Sequence, residues 1–290
     1  MYRAISVNKR NTVIMMMVFI LIIGGLGALA SYIYQDWLIT VFVVAIAAIY
    51  ALIQYFAASR LAMAISGGKE IEKKDAPELW RVVENLAITA GTPMPRVFVI
   101  EDSALNAFAT GRNPKHAMVA ATTGLLDSMN KRELTAVMAH EMSHVQNYDI
   151  LVSMVIFGLV SAIGMICDLL LRMTLFGRGN SRDAWPLMLI GLAAMIVAPL
   201  IALLVRMAIS RQREYLADAS AVLLTRDSEG MAMALEKLKD NNRPMHRQNT
   251  SIEHLYITNS LKPGVMSKLF STHPPIDDRI KRLRTNAVKM

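Results

Sequence analysis

Two histidines four residues apart, with a glutamate directly after the first, are the residues of this sequence best suited to chemistry. They are His140, Glu141 and His144 in the stretch AVMAHEMSHVQNYD. On a helix, residues i and i+4 lie on the same face, so both imidazoles can bind one metal ion. Glu141 lies about 100° further around the helix, where its carboxylate can reach a water molecule at that ion. The pattern predicts a hydrolase with one Zn²⁺ per chain and Glu141 as general base.

A third ligand must come from elsewhere, because a catalytic zinc ion usually has three protein ligands. The stretch EYLAD offers Glu214. Asp218 follows one helical turn later, where its carboxylate can accept a hydrogen bond from a zinc-binding histidine. We therefore predict Glu214 as the third ligand and Asp218 as a supporting group. His116 and His273 are alternative third ligands, and an ion pair with a neighbouring arginine is another role for Glu214.

Long apolar segments adjoin the helices that carry these residues. Of the 290 residues, 54% are hydrophobic and only 19% are charged, which is more apolar than is typical of a soluble domain. Four segments reach or approach the length of a membrane-spanning helix, namely 11–35, 37–59, 150–167 and 184–205. The third is short and the fourth contains two prolines, so they can also form a hairpin that does not fully cross. The sequence predicts an α-helical integral membrane protein with about four transmembrane helices.

The apolar segments set the expected domain boundaries. We predict an N-terminal transmembrane hairpin at 1–60, a first catalytic part at 61–149, a second hairpin at 150–205 and a second catalytic part at 206–290. If the metal-binding helix continues into the third segment, His144 lies roughly 9 Å from the membrane boundary at 1.5 Å per residue. The expected partners are therefore the lipid bilayer and membrane protein or peptide substrates.

The formal net charge of +8 has a simple interpretation in a membrane protein. Lys and Arg are scattered and are not interleaved with aromatic residues, which argues against a nucleic-acid partner. Many lie beside the apolar segments, which favours a cytoplasmic position for the polar parts, although three arginines between the third and fourth segments break this pattern. The single cysteine, Cys167, excludes an intramolecular disulfide and fits a reducing compartment.

Local patterns predict the elements that position the site. KKDAPELWRVVENLAITAG is typical of an amphipathic helix, with Pro77 near its start and Gly91 just past its end. RVFVIED, NAFATG and AMVAATTGLL are predicted strands. Asn130 and Glu133 are spaced as a capping box before the metal-binding helix. RQREYLADASAVLL is a predicted helix, and the proline pair of STHPPIDDRIKRLR predicts a turn before a short basic helix.

The motifs NAFATG, HEMSH, EYLAD and STHPPIDDR, together with paired apolar segments, resemble the HtpX family of bacterial membrane zinc metalloproteases, which are relatives of the CAAX prenyl proteases. The resemblance covers essentially the whole chain. It implies an α+β zincin-like (gluzincin) catalytic domain that is split by the second helical hairpin. It also implies zinc binding by His140, His144 and Glu214, with Glu141 as general base and Asp218 supporting a ligand.

The resemblance implies further roles that spacing alone does not. NAFATG, with Asn106, Ala107 and Phe108, would be the edge strand on which a peptide substrate lies. His273 and Arg279 match the pattern H-P-P-x-x-x-R and are expected at the active site, His273 as a donor to the developing negative charge. Without the resemblance, the simpler interpretations are that His273 lies in a surface turn and that Arg279 lies on the basic face of a helix. The implied function is quality control of damaged membrane proteins in the bacterial inner membrane, with the active site facing the cytoplasm.

Three alternatives stay open on sequence grounds. One is a membrane protease of narrow specificity that processes a lipidated or secreted peptide. Another is an inactive metal-binding scaffold or chaperone, against which Glu141 argues because metal binding alone requires no base. A four-segment transporter is disfavoured because no acidic residue lies deep in an apolar segment. Natural substrates and oligomeric state cannot be obtained from these patterns.

Overall fold

The computed structural model describes residues 2–158, 211–241, 243–247, 252, 255–258 and 274–287. The apolar segment predicted at 184–205 lies outside the described residues, as does the second half of the segment at 150–167. The chain divides into two compact units. The described part of the apolar unit comprises residues 10–58 and 155–158, and the remaining described residues form the site-bearing unit.

Two long helices, α1 (Tyr2–Tyr34) and α2 (Leu38–Ser66), supply most of the apolar unit. Both are long and apolar enough to cross a membrane by length and composition. Within the most apolar window of each helix, only 22% and 11% of residues are buried, and side chains such as Leu21 and Phe42 are largely exposed. The core helix of a soluble protein would be mostly buried, whereas exposed apolar faces of this length suit a lipid environment. These helices match the first two predicted membrane segments.

A four-stranded sheet forms one side of the site-bearing unit. Its strands are β1 (Gly68–Glu70), β2 (Arg96–Ile100), β3 (Ala107–Gly111) and β4 (Ala117–Thr122). Their order is β1-β2-β4-β3, with β2 and β4 parallel and the outer pairs antiparallel, so β3 forms an edge. The predicted strands RVFVIED and NAFATG are confirmed in position, but the third, AMVAATTGLL, is a strand only as far as Thr122, and its last four residues are helical because the Thr122 side chain caps a short helix. The strand β1 was not predicted, because three residues of sequence Gly-Lys-Glu carry no apolar alternation.

The described helices of this unit are α3 (Pro77–Ala90), α4 (Thr123–Ser128), α5 (Lys131–Gln146), α6 (Asp149–Gly158), α7 (Arg211–Thr225), α8 (Ser228–Asp240) and α9 (Ile276–Ala287), of which α6 continues into the apolar unit. The predicted helices α3, α5, α7 and α9 begin and end largely where local signals predict, whereas α4 and α8 were not predicted. Pro77 occupies the first turn of α3, and Gly91 ends it in the left-handed region at φ 63°. The capping box of α5 is confirmed: Asn130 Oδ1 accepts from the Glu133 amide at 3.0 Å, and Glu133 Oε2 accepts from the Asn130 amide at 2.9 Å.

Helix α5 lies at the centre of the unit. It packs against α3, β3, α7 and α8, and Val137, Met138, Ala139 and Met142 on it are completely buried. A helix surrounded on most sides exposes few of its polar groups to water, so each buried polar group on it needs a partner within the protein. The histidine pair of α5 therefore lies inside the protein and not on a polar surface.

The helix α5 does not continue into the third apolar segment. It ends at Gln146, Tyr148 adopts a left-handed backbone at φ 61°, and α6 begins at Asp149. A left-handed residue interrupts the helical hydrogen-bond pattern. The expectation of one continuous helix from His144 into the membrane segment is wrong, and with it the distance of roughly 9 Å that was based on a straight helix.

Candidate active site

The helices α5 and α7 pack face to face through small residues. On α7, Glu214, Ala217, Asp218 and Ala221 recur at the spacing of one helical face, and all four are buried. Alanines at such a contact allow two helices to approach closely. The two carboxylates on the same face are thereby brought to the histidine pair of α5.

Three side-chain groups converge on one point. The Nε2 atoms of His140 and His144 lie 3.2 Å apart. The oxygens of Glu214 lie 3.5 Å from His140 Nε2 and 3.7 Å from His144 Nε2. Three ligand atoms bound at about 2.1 Å to one tetrahedral zinc ion would lie roughly 3.4 Å from one another. The spacing and the chemistry of these donors therefore fit a zinc ion.

Carboxylates hold the outer nitrogen of each imidazole. His140 Nδ1 lies 2.9 Å from Asp218 Oδ1, and His144 Nδ1 lies 3.0 Å from Asp149 Oδ2. A hydrogen on Nδ1 leaves the lone pair of Nε2 free to face the metal position. The contact of Asp218 was expected, whereas Asp149 was missed. Its only signal in the sequence is an acid five residues after His144, and the turn between them cannot be deduced from helical spacing.

Arg279 lies in this cluster and not on the basic face of its helix. Its side chain is completely buried and donates to both oxygens of Asp218, with Nε at 2.8 Å and Nη2 at 2.6 Å. Nη2 also lies 3.4 Å from His140 Nδ1. Nη1 lies 3.9 Å from Glu214 Oε2 and makes no hydrogen bond to any described residue. His273, expected at the site with Arg279, lies outside the described residues.

The pKa values of the buried groups reflect a negative local potential. Burial lowers the pKa of His140, but hydrogen bonds with Asp218 and Glu214 outweigh this effect and raise it to about 9. Burial likewise lowers the pKa of His144, and Asp149 and the charge of Glu214 raise it above its ordinary value. Burial raises the pKa of Asp218, but the charge and hydrogen bonds of Arg279, together with His140, lower it to about 2. A potential that stabilises protonated imidazoles also favours a divalent cation.

The formal charges of the cluster support the same conclusion. Among the described residues, four buried carboxylates and two arginines surround the histidine pair, namely Glu141, Asp149, Glu214, Asp218, Arg213 and Arg279. With both imidazoles neutral, as metal ligands are, these described groups carry a formal charge of −2. Buried charge of one sign is costly unless it is compensated, and one divalent ion would balance it.

Glu141 lies apart from the three candidate ligands but in the same cluster. Its side chain is buried, and it does not belong to the candidate ligand group found among the described residues. Burial lowers the pKa of Arg279, and several acidic groups raise it, Asp218 most strongly and Glu141 among them.

His116, the alternative third ligand, lies on an exposed turn, where its ring nitrogen Nδ1 is 2.8 Å from Asn113 Oδ1.

The residues expected to bind substrate lie where β3 begins. As expected, β3 is an edge strand, but Asn106, Ala107 and Phe108 are all buried. The carbonyl of Ala107 accepts a hydrogen bond from the amide of Ile257 at 3.0 Å, and the side chain of Asn106 donates to the carbonyl of Thr258 at 3.2 Å. Residues 257 and 258 therefore already pair with this part of the edge, and peptide binding by Asn106, Ala107 and Phe108 stays a prediction.

A buried His-His-Glu cluster on two packed helices, beside a sheet with β3 as its edge strand, is the arrangement of a zinc metallopeptidase. The model of peptidase family M48 matches residues 73–287, and the chain belongs to this family. A protein of Tropheryma whipplei (strain TW08/27) described as "Protease HtpX homolog" is 50% identical over 98% of both chains. A protein of the same description from Streptococcus gordonii is 44% identical over 98% of this chain and 99% of its own. The expected membership of the HtpX family of membrane zinc metalloproteases is confirmed.

A solved structure shares the fold. The crystal structure of S. mikatae Ste24p superposes with a TM-score of 0.51 and 21% sequence identity. The match covers 93% of this chain and 61% of that chain, so the chain spans about three fifths of the length of Ste24p.

Proposed function

We propose that this chain is a membrane-embedded zinc endopeptidase that cleaves misfolded or damaged membrane proteins, with His140, His144 and Glu214 as its zinc ligands and Glu141 as its general base. The observation that supports this proposal most directly is the buried group of three ligand atoms, in which both imidazoles are oriented by carboxylates. A surface pair of histidines would need no such orientation.

The bound zinc ion would polarise the peptide carbonyl and make a nearby water molecule more acidic. Glu141 follows His140 on α5 and therefore lies beside the ligand face. It would accept a proton from the attacking water while the water oxygen bonds to the carbonyl carbon. When the carbon–nitrogen bond breaks, the same carboxyl group would return the proton to the leaving amine.

Arg279 and His273 have different places in this proposal. Arg279 holds Asp218 against His140 and directs Nη1 towards Glu214. That atom is a candidate donor to the negative charge that develops on the carbonyl oxygen. His273 is proposed as a second donor on the strength of the motif H-P-P-x-x-x-R alone.

The substrate and membrane arrangement are proposed on sequence and family grounds. Two exposed apolar helices support insertion into the bacterial inner membrane. We propose four transmembrane segments, with the second hairpin inserted between the second and third zinc ligands and the active site facing the cytoplasm. A catalytic domain interrupted in this way would keep its site near the bilayer, which suits substrates that are themselves membrane proteins. The outer edge of β3 is proposed to pair with the peptide, with Asn106, Ala107 and Phe108 at its start.

The function is tested by comparing two single substitutions in detergent-purified protein. Glu141→Gln should keep one zinc ion per chain and lower cleavage of casein or of an unstable membrane protein by a factor of about 10² or more. Glu214→Ala should lose zinc and activity together. Zinc content is measured by mass spectrometry and activity with and without a chelator. Full activity of Glu141→Gln would exclude Glu141 as the base, and zinc-loaded wild type without activity on any peptide would favour a metal-binding scaffold.

A further inference from the structure

The turn between α5 and α6 has an unusual backbone that is held by the first helix of the chain. Tyr148 is left-handed at φ 61°, a strained conformation for a bulky residue that persists only where the surroundings hold it. Asn8 on α1 donates Nδ2 to the carbonyl of Asn147 at 2.8 Å. The ammonium group of Lys9 lies 4.5 Å from the centroid of the Tyr148 ring. These contacts are found within the site-bearing unit, to which residues 2–9 belong.

The turn brings Asp149 back towards the end of α5. Asp149 is 5% exposed, and its Oδ2 lies 3.0 Å from His144 Nδ1. Its other oxygen, Oδ1, accepts a hydrogen bond from Asn8 Nδ2 at 2.7 Å and lies 3.6 Å from Arg213 Nε. Asn8 itself is 4% exposed. Each oxygen of the carboxylate thus has a defined partner, and the buried amide of Asn8 fixes the one that does not face the histidine.

We propose that Asp149 is the positioning residue for His144 and that Asn8 in turn positions Asp149, so that the first helix of the chain helps to shape the zinc site. This inference rests on the proposed function, because it assumes that His144 is a zinc ligand. The Asp149 carboxylate holds the hydrogen on Nδ1 and sets the orientation of the ring, which directs Nε2 towards His140 and Glu214. The Nδ2 group of Asn8 has two hydrogens, and it donates to the carbonyl oxygen of Asn147 and to Oδ1 of Asp149.

The two histidines are therefore supported from different parts of the chain. Asp218 and Arg279 of the C-terminal half orient His140. Asp149 and Asn8 orient His144. Displacing the start of α1 should then loosen one ligand while the other stays in place.

Zinc affinity of the full-length protein, measured by competition with a chromogenic chelator, tests this assignment. Asp149→Ala should weaken zinc binding about 10- to 100-fold. Asn8→Ala removes one hydrogen bond to a charged group and should weaken it about 5- to 30-fold. In the Asp149→Ala background, Asn8→Ala should have no further effect, because the link between them is already lost. Asn241→Ala, which removes an exposed side chain that donates to a helix carbonyl, is the matched control and should bind zinc like wild type.

The visible absorption spectrum of the Co²⁺-substituted protein separates positioning from a general loss of stability. A reoriented imidazole changes the ligand field, so both variants should shift the spectrum even at temperatures where they are folded. Asp149→Asn serves if Asp149→Ala does not fold. Its amide cannot accept from both His144 and Asn8, so zinc affinity should still fall.

The outcomes separate this inference from the proposed function. If Asp149→Ala and Asn8→Ala bind zinc like wild type with an unchanged Co²⁺ spectrum, while Asp218→Ala weakens binding, the inference is overturned and the zinc site stands. If the effects of the two substitutions on affinity multiply, Asn8 does not act through Asp149 and that part is wrong. If Glu214→Ala retains zinc at wild-type affinity, the proposed ligand set fails instead.

Discussion

Replacing Arg279 with methionine tests how strongly the buried charges around the metal site depend on one another. The Arg279 side chain is completely buried and donates to both oxygens of Asp218, which is 4% exposed. Methionine keeps a similar length but, among the described residues, leaves Asp218 with His140 as its remaining oppositely charged partner. Removing one partner of a buried ion pair costs about 3–5 kcal/mol. Because His140 still contacts Asp218, we expect a loss near the lower end, about 3 kcal/mol in the free energy of unfolding.

The pKa of Asp218 leads to a similar magnitude for this loss of stability and predicts how the loss depends on pH. Burial raises this pKa, but Arg279 and, to a smaller extent, His140 lower it to about 2, against about 3.9 in an unfolded chain. A difference of this size corresponds to roughly 2.5 kcal/mol of stability. Since the folded pKa is the lower one, this stability is present above about pH 4 and is lost as the pH falls towards 2. Wild type and Arg279→Met should therefore differ most near neutral pH and converge in acid.

Thermal unfolding of chelator-treated protein in detergent, followed by intrinsic fluorescence, measures this effect without a contribution from zinc. A loss of about 3 kcal/mol corresponds to a Tm lower by roughly 6–12 °C for a domain of this size. Arg279→Lys keeps the charge but lacks the planar fork of donors that matches both carboxylate oxygens, so it should be intermediate. Adding Asp218→Asn to Arg279→Met should recover part of the loss, because it removes the uncompensated carboxylate. A loss below about 1 kcal/mol, or no recovery in the double variant, would refute the reasoning.

Three further predictions concern the same unit. A Cβ on Gly124 would clash with the backbone carbonyl oxygen of Ser103, so Gly124→Ala should lower the free energy of unfolding by about 1–3 kcal/mol. Gly91→Ala should lower it less, because only the left-handed backbone opposes a side chain there, and a larger loss of Tm for Gly91→Ala in thermal unfolding would contradict this. The hydrogen bond of Arg132 lowers the pKa of Asp227, so Asp227→Asn should lower the free energy of unfolding by less than about 1 kcal/mol near pH 7. This loss should disappear once the pH falls below the pKa of Asp227 in the folded protein. A difference in stability between wild type and Asp227→Asn that does not change with pH would contradict this prediction. Adding a chelator should lower the Tm of wild type but leave that of Glu214→Ala unchanged, as measured by the same unfolding curves.

The parts of the site that depend on helical spacing were predictable from the sequence. His140 and His144, and likewise Glu214 and Asp218, are each four residues apart, and a helix places such pairs on one face whatever the rest of the fold does. The capping box before α5 was predictable for the same reason, because its two hydrogen bonds join residues three apart. Such local rules do not need a knowledge of tertiary packing.

The remaining parts of the site depend on contacts between distant residues. Asn8 and Asp149 are 141 residues apart, and no periodicity relates a residue on the first helix to a turn after the fifth. The turn itself depends on Tyr148 in a left-handed conformation, for which an aromatic residue carries no propensity signal. The burial of Arg279 could not be predicted from its helix, because a basic helix predicts a solvated face; only the family resemblance indicated a position at the site.

The contact between Arg279 and the His140–Asp218 pair spans 139 residues of sequence, and this separation has a consequence for synthesis. The chain is made from its N-terminus, so α5 with its two histidines leaves the ribosome long before α7 and α9. With the proposed ligands, a nascent chain that stops before Glu214 has only two zinc ligands, and one that stops before Arg279 buries Asp218 without its guanidinium partner. Incomplete products that stop before Arg279 are therefore expected to lack an assembled catalytic centre, so stalled translation should not release active protease.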